Sequence, residues 1–253
     1  MPVLGRPDPA TSVAHVSVAL MPLPVAETTG LIWEGIGGKR LLDHPFYRRW
    51  EAGTLARGEL ARYAEQYRYI EAALPGVLSR VASCLPEGSA REAVTANLSD
   101  ELGNPAPHLE LFEAFAAAAG ARQDVPPTPA TQSLVALQLS SVTTDSVRAL
   151  GVLAAYETQA AAVAASKAAG LRCHYGIDGP GAAFWDVHAD LEADHGDWSA
   201  SALAATADSP MQVTSAVAAG ASAWWQFLDE RDAAAYHPSA VTQQEPGTDA
   251  SRG

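Results

Sequence analysis

The chain has 253 residues, a net charge of −13 and 48% hydrophobic residues. This length fits one large domain with a sizeable core. The acidic charge excludes a nucleic-acid or an anionic membrane partner, since both require a basic face. Two cysteines, Cys84 and Cys173, do not make a disulfide framework, and no apolar run reaches the ~18 residues of a membrane span. We therefore expect a soluble, cytoplasmic protein.

The ends of the chain differ in composition from the middle. Residues 1–25 are rich in Pro, Val and Ser, and residues 237–253 are polar, so we interpret them as a disordered leader and tail. Residues 26–236 are predicted to form one helical domain, because no segment shows the alternation of a strand. Long helical patterns indicate an all-α bundle of about seven helices.

Caps and prolines predict the helices of the first half. Thr54 is predicted to cap a long helix that ends near Ser83, with its core stripe at helical spacing. Ser89 and Glu92 form a capping box for the next helix, which reaches Glu101 before glycine and prolines interrupt it.

The second half continues the helical pattern. His108 begins a helix directly after Pro107, and Asp145 is predicted to cap a helix that ends near Ala169. A further helix is predicted over residues 184–205. The start of the last helix is marked by a cap, a first-turn proline and a capping-box partner, which are Ser209, Pro210 and Gln212.

One helix carries a compact group of metal-binding residue types. His188, Glu192 and His195 are four and three residues apart, so they fall on one face of a helix. Two imidazoles and a carboxylate on one stripe suit iron, manganese or zinc. The alternative is a solvated polar face, because Asp186 and Asp194 make other sides of this helix polar as well.

Two other segments offer further ligands. Glu101 and His108 are seven residues apart. The alternative interpretation is that Glu101 is a surface acid and His108 a helix cap. Glu157 lies among alanines, where burial of a carboxylate is costly unless a partner neutralises it. An exposed glutamate on a surface helix is the alternative there. Three carboxylates and three histidines from three segments match the ligand inventory of di-iron sites in helix bundles.

These motifs, in this order, resemble those of the heme-oxygenase-like di-iron oxidase and oxygenase superfamily, over about residues 30–232. The superfamily shares the fold of the PqqC and TenA proteins, and usually has Asp where Glu192 stands. The resemblance implies a heme-oxygenase-like bundle, two ferrous ions with manganese as the alternative metal, and O2 and a reductant as co-substrates. It also implies six metal ligands: Glu101, His108, Glu157, His188, Glu192 and His195.

Within that superfamily the chain looks most like the CADD-like para-aminobenzoate synthases. The sequence His-Pro-Phe-Tyr-Arg-Arg-Trp at 44–50 resembles an early motif of that family, and Tyr156 and Lys167 match later positions. The resemblance implies that Tyr47 supplies an aromatic ring and Lys167 an amine, with Tyr156 as an accessory tyrosine. Phe184 stands where that branch often has a tyrosine.

The lysine usage of the chain adds to this interpretation. Only two of the sixteen basic residues are lysines, Lys39 and Lys167. Tyr156 and Lys167 are eleven residues apart, on one helical stripe, and a desolvated lysine there would be nucleophilic. A snorkelling surface lysine near a helix C-terminus is the alternative. Core packing is the expected role, and cavity lining the alternative, for Tyr63, Tyr67, Tyr69 and Glu71.

The sequence thus predicts an O2-dependent di-iron oxygenase resembling para-aminobenzoate synthase, with a small molecule or its own side chains as substrate. One alternative is the same scaffold acting on an external amino acid or fatty acid, by N-oxygenation or oxidative C–C cleavage. Others are a cofactor-free PqqC- or TenA-like protein and a non-enzymatic binding protein. A homodimer is an open expectation for the assembly.

Overall fold

The computed structural model describes residues 23–103 and 106–236, with the side chains of Thr144, 191–197 and 234–236 outside the described part. The predictions for the leader up to residue 22 and for the tail lie outside these ranges. Every regular element within them is helical, which confirms the all-α prediction. None of the described helices is long and apolar enough to cross a bilayer.

The described part of the chain forms nine α-helices, joined by short 3-10 and π turns. Three of the nine, α1, α2 and α6, were not placed by the sequence analysis. The helices are α1 (Val25–Ile36), α2 (Pro45–Glu51), α3 (Arg57–Cys84), α4 (Ser89–Gly103), α5 (His108–Ala119), α6 (Pro129–Thr144), α7 (Ser146–Gly170), α8 (Ala183–Thr206) and α9 (Pro210–Tyr236).

The predicted start of α3 at Thr54 is wrong. The helix begins at Arg57, and its first-turn Glu59 accepts a hydrogen bond from the backbone N–H of Ala56 at 2.8 Å. Arg49 donates to the same carboxylate at 2.7 Å. The carboxylate that accepts from the backbone at the start of the helix is therefore also paired with a guanidinium group. Thr54 instead donates to the carbonyl of Arg49 at 3.3 Å.

Other predicted helix starts agree more closely. The Asp145 side chain accepts from the backbone N–H of Val147 at 3.0 Å and caps α7, as predicted. Gln212 donates its backbone N–H to the Ser209 hydroxyl at 3.4 Å at the start of α9. α4 begins at Ser89 itself, so this serine is a first-turn residue rather than the predicted cap.

Helix α7 lies at the centre of the bundle and packs most extensively against α8 and α9. Small residues allow the close approach of α7 and α9. A Cβ atom on Gly151 would lie 2.5 Å from the Cβ of Ala216, and one on Gly220 would lie 2.6 Å from the carbonyl oxygen of Val152. Glycine is needed at these two positions because backbone and side chain of the facing helix occupy the space.

Gly220→Ala is expected to destabilise the protein by roughly 1–3 kcal/mol, because the new methyl group meets the backbone of α7. Gly30→Ala is the matched control, since a Cβ there meets nothing within 4 Å. The control should gain roughly 0.5–1 kcal/mol from the higher helix propensity of alanine. Urea unfolding measures both changes, and equal stabilisation by the two substitutions would contradict the packing argument.

The core has two apolar halves with polar side chains between them. One half, the aromatic cluster, holds most of the large rings, and the other is mainly aliphatic. Helices α3, α7 and α8 each pass from one half to the other, and at the crossing they carry Glu71, Glu157 and His188. Charged groups in the middle of a core require a compensating partner. This layer is therefore where a functional site is expected.

Candidate metal centre

Four buried side chains converge in this polar layer. Glu71, Glu101, His108 and His188 each offer a ligand atom, and these atoms lie within 4.8 Å of one another. His108 Nδ1 lies 3.2 Å from one Glu101 oxygen, and His188 Nε2 lies 4.0 Å from the other. Carboxylates and imidazoles brought together from α3, α4, α5 and α8 form the donor set that suits iron.

His188 is oriented for metal binding by its own helix. Its Nδ1–H donates to the carbonyl of Phe184 at 2.8 Å, which leaves the Nε2 lone pair directed toward Glu101. Burial lowers the pKa of His188 to about 4, so the imidazole is neutral at pH 7. A metal-binding histidine must be in this neutral form. The solvated-face alternative for His188 is wrong, since its side chain is buried.

Among the described residues, no salt bridge compensates the buried carboxyl group of Glu71. The Glu71 carboxyl group is hydrogen-bonded to that of Glu101, and its Oε1 has no hydrogen-bond partner among the described residues. Burial raises the pKa of Glu71 well above its ordinary value, and the Glu101 charge raises it further. Bound iron would neutralise this contact, so the residues present fit the metal.

The surface alternatives for Glu101 and Glu157 are wrong, and His108 is the first residue of α5 rather than its cap, which is Pro107. Glu101, His108 and Glu157 are all buried, and Glu157 lines the same small chamber as Glu71 and Glu101. The charge of Glu157 also raises the pKa of Glu71, after the larger effects of burial and Glu101. Glu157 is thus buried beside the cluster, as the sequence predicted.

Glu192 and His195 lie within α8, downstream of His188, but their side chains fall outside the described residues. Their role as metal ligands stays a prediction.

Lys167 lies deep in the aromatic cluster. Its side chain is 2% exposed, so the alternative of a snorkelling surface lysine is wrong. The ammonium or amine Nζ lies 4.0 Å from the ring centre of Trp185 and 4.6 Å from that of Tyr47. Nζ donates to the Tyr63 hydroxyl at 2.6 Å. Burial lowers the pKa of Lys167 well below its ordinary value, which favours the neutral, nucleophilic amine.

Tyrosine hydroxyl groups connect Lys167 with the metal cluster. The Tyr47 and Tyr63 hydroxyl oxygens lie 3.0 Å apart, and Tyr67 donates to the Tyr156 hydroxyl at 2.9 Å. The rings of Tyr63 and Tyr67 stack with their centres 5.5 Å apart, which joins the two pairs. Tyr67 and Tyr156 also line the chamber beside the cluster. Tyr47 and Lys167 are therefore joined to the described members of the predicted ligand set by contacts between tyrosines.

The short helix α2 holds Tyr47 in place. His44 caps it, because its Nδ1 accepts from the backbone N–H of Phe46 at 3.1 Å, and Pro45 fills the first helical position. His44 Nε2 lies 3.1 Å from an Asp229 oxygen, which ties α2 to α9. Burial lowers the pKa of His44, in keeping with a neutral ring that accepts at Nδ1 and donates at Nε2.

Sequence reasoning assigned three functional-site residues to core packing. Tyr63, Tyr67 and Glu71 are spaced by four on α3, so they form one stripe that faces Lys167 and the cluster. That spacing is visible in the sequence and could have indicated the site. Tyr69, which was grouped with them, donates instead to the carbonyl of Val125 at 2.8 Å.

Lys167→Met is expected to stabilise the protein, because it replaces a desolvated amine by an apolar side chain of similar length. The folded pKa of Lys167 lies below the unfolded value of 10.5, so the parent loses stability as pH falls below 10.5. The loss is about 1.4 kcal/mol per pH unit until the folded pKa is reached. Urea unfolding should show a larger advantage of the variant at about pH 8 than at about pH 10. A pH-independent difference would show that the amine is not desolvated.

Residues 61–229 match a family described as iron-containing redox enzymes. A 4-aminobenzoate synthase from Nitrosomonas europaea is 34% identical over 212 residues, which cover 77% of this chain and 86% of that protein. A 4-aminobenzoate synthase from Chlamydia muridarum is 31% identical over 166 residues, which cover 63% of this chain and 70% of that protein.

Solved structures share the fold at low sequence identity. A domain with a heme oxygenase-like fold from Shewanella denitrificans has a TM-score of 0.68 at 15% identity, over 88% of this chain and 97% of that one. A CADD-like protein from Nostoc punctiforme has a TM-score of 0.63 at 18% identity, over 81% of this chain and 97% of that one. The predicted heme-oxygenase-like fold is confirmed. The family match covers most of the chain, which therefore belongs to the iron-containing redox enzymes and is an oxidoreductase.

Proposed function

We propose that this chain is an O2-dependent di-iron oxygenase that forms para-aminobenzoate, with its own Tyr47 and Lys167 as reactants. The observation that carries the proposal is a buried amine packed against buried phenols beside a cluster of metal-binding residues. The two similar proteins from Nitrosomonas and Chlamydia are named 4-aminobenzoate synthases, which supports the same product class here.

The space beside the cluster favours the protein's own side chains over an external organic substrate. The chamber next to the cluster has a volume of about 20 Å³. A water molecule needs roughly 10–15 Å³ of cavity volume, so a molecule as small as O2 has room there. Pockets for drug-sized ligands are on the order of 300 Å³ or more. An amino acid or a fatty acid would require the core to open, whereas Tyr47 and Lys167 are already in place.

The chemistry of the product fits these two side chains. Para-aminobenzoate has an amine and a carboxyl group at opposite positions of one ring, as tyrosine has its hydroxyl group and Cβ. The Lys167 Nζ atom lies 4.6 Å from the Tyr47 ring centre and has a lowered pKa, so its lone pair is available. Bound iron would supply the electrons for O2 reduction. Its proposed ligands are Glu101, His108, Glu157, His188, Glu192 and His195.

The surrounding residues hold the reactants and keep water out. The Tyr63 hydroxyl accepts from Lys167 and lies 3.0 Å from the Tyr47 hydroxyl, so it can carry a proton between them. Five aromatic rings surround the Lys167 Nζ atom within 5.9 Å, which excludes water from the amine. Iron rather than manganese is the proposed metal, in keeping with the family.

The number of product molecules per chain tests this function. The chain is loaded with ferrous iron without oxygen and then exposed to O2 and a chemical reductant, and 4-aminobenzoate is quantified. A catalyst that consumes its own side chains should release at most one product molecule per chain. Many turnovers on an added amino acid or fatty acid would favour the external-substrate alternative. A sample kept free of O2 is the control and should give no product.

A further inference from the structure

We infer that Glu71 is a ligand of the metal centre from α3, in addition to the six residues predicted from the sequence. This inference rests on the proposed iron centre. Among the described residues, the Glu71 ligand atom lies within 4.8 Å of those of Glu101, His108 and His188. It approaches from a helix that none of the sequence motifs includes.

Other buried acids on α3 show how unusual the surroundings of Glu71 are. Glu65 is 5% exposed, and its Oε1 accepts from the backbone N–H of Arg122 at 3.1 Å and from its guanidinium at 3.2 Å. Both carboxylate oxygens of Glu59 accept hydrogen bonds from the Arg49 guanidinium group. Glu71 is 3% exposed, and among the described residues it has no salt bridge and an Oε1 without a hydrogen-bond partner.

A buried carboxylate in contact with another carboxylate is unfavourable without a cation. Glu71 faces Glu101 directly, and Glu157 lies in the same chamber. Burial of these charges is costly unless they are compensated. Two ferrous ions carry four positive charges, whereas the six predicted ligands supply three carboxylates. Glu71 provides the fourth negative charge and makes the centre neutral.

The position of Glu71 places this ligand on the side of the centre that faces the reactants. It follows Tyr67 by four residues and Tyr63 by eight, on the stripe of α3 that contacts Lys167. Burial lowers the pKa of Lys167, and the Glu71 charge acts in the opposite direction and raises it. A ligand at this point connects the metal centre to the amine through one helix face.

Glu71→Gln tests the inference, because it removes the charge and keeps the size of the side chain. Glu65→Gln is the matched control, as it neutralises another buried acid on α3 away from the cluster. Anaerobic ferrous titration should give at least one iron bound on the order of tenfold more weakly in Glu71→Gln. Iron binding by Glu65→Gln should equal that of the parent. Parent-like iron affinity in Glu71→Gln would overturn the inference.

Thermal unfolding of the metal-free and iron-loaded proteins separates a ligand from a structural residue. If Glu71 is a ligand, metal-free Glu71→Gln is about as stable as the metal-free parent, because the neutral amide can replace the hydrogen bond that the protonated carboxyl makes with Glu101. Its melting temperature then rises less on iron loading. The contrary result is a metal-free variant that is less stable than the metal-free parent and whose melting temperature rises as much as the parent's on iron loading. That result would show that Glu71 is a structural residue and not a ligand. Failure of the parent itself to bind iron would instead overturn the proposed iron centre.

Discussion

His188→Ala is expected to lose most of the iron that the parent chain binds. The substitution removes a neutral imidazole whose Nε2 points at Glu101 and whose other nitrogen is fixed by the Phe184 carbonyl. The measurement is iron per chain after anaerobic loading and removal of excess metal, where the parent should hold about two ions.

The control for this prediction is His174→Ala. His174 is exposed, and its Nε2 lies 3.1 Å from the Glu51 carbonyl, outside the cluster. It should retain the parent's iron content. Circular dichroism should show that His188→Ala is still helical, so that loss of iron can be separated from loss of the fold. Full iron retention in folded His188→Ala would contradict the proposed metal centre.

Tyr47→Phe should stop formation of 4-aminobenzoate while iron binding remains. Phenylalanine keeps the packing of the aromatic cluster but lacks the oxygen that lies 3.0 Å from the Tyr63 hydroxyl. Lys167→Arg should behave in the same way, because a guanidinium group is not an interchangeable amine donor. Both variants should give product below the detection limit and an iron content equal to that of the parent.

Two conservative controls are available in the same chain. Tyr69→Phe removes a hydroxyl group that bonds the Val125 carbonyl, and Lys39→Arg changes the other lysine, which is exposed. Both should form as much product as the parent. Tyr63→Phe should lower the yield, since the hydroxyl that holds Lys167 is lost, but should bind iron normally. Parent-like product from Lys167→Arg would exclude this lysine as the amine source.

Local sequence patterns predicted the parts of this fold that depend on local structure. Asp145 was recognised as a cap from its residue type and its position before a helical pattern, and its side chain accepts from the backbone N–H of Val147. The sequence analysis predicted no helix over α6, whose first residue is Pro129. Proline is tolerated there because the first turn has free N–H groups.

The reactive half of the site depends on contacts that one sequence does not contain. Lys167 and Tyr63 are 104 positions apart, and only the packing of α3 on α7 brings them together. Core packing was the expected role of Glu71, with cavity lining as the alternative. Its metal-ligand geometry depends on α4, α5 and α8, which approach from distant parts of the chain.

The central claim is that the ring and the amine of the product come from the chain itself. The protein is prepared with 15N at the lysine side chains and 13C in the tyrosine rings, then loaded with iron and exposed to O2 and an unlabelled reductant. Mass spectrometry of the released 4-aminobenzoate and of the protein is the most direct test. The account predicts that the product carries both labels and that the peptides containing Tyr47 and Lys167 change in mass, while the peptide with Lys39 does not. Unlabelled product, or a protein of unchanged mass after product formation, would contradict it.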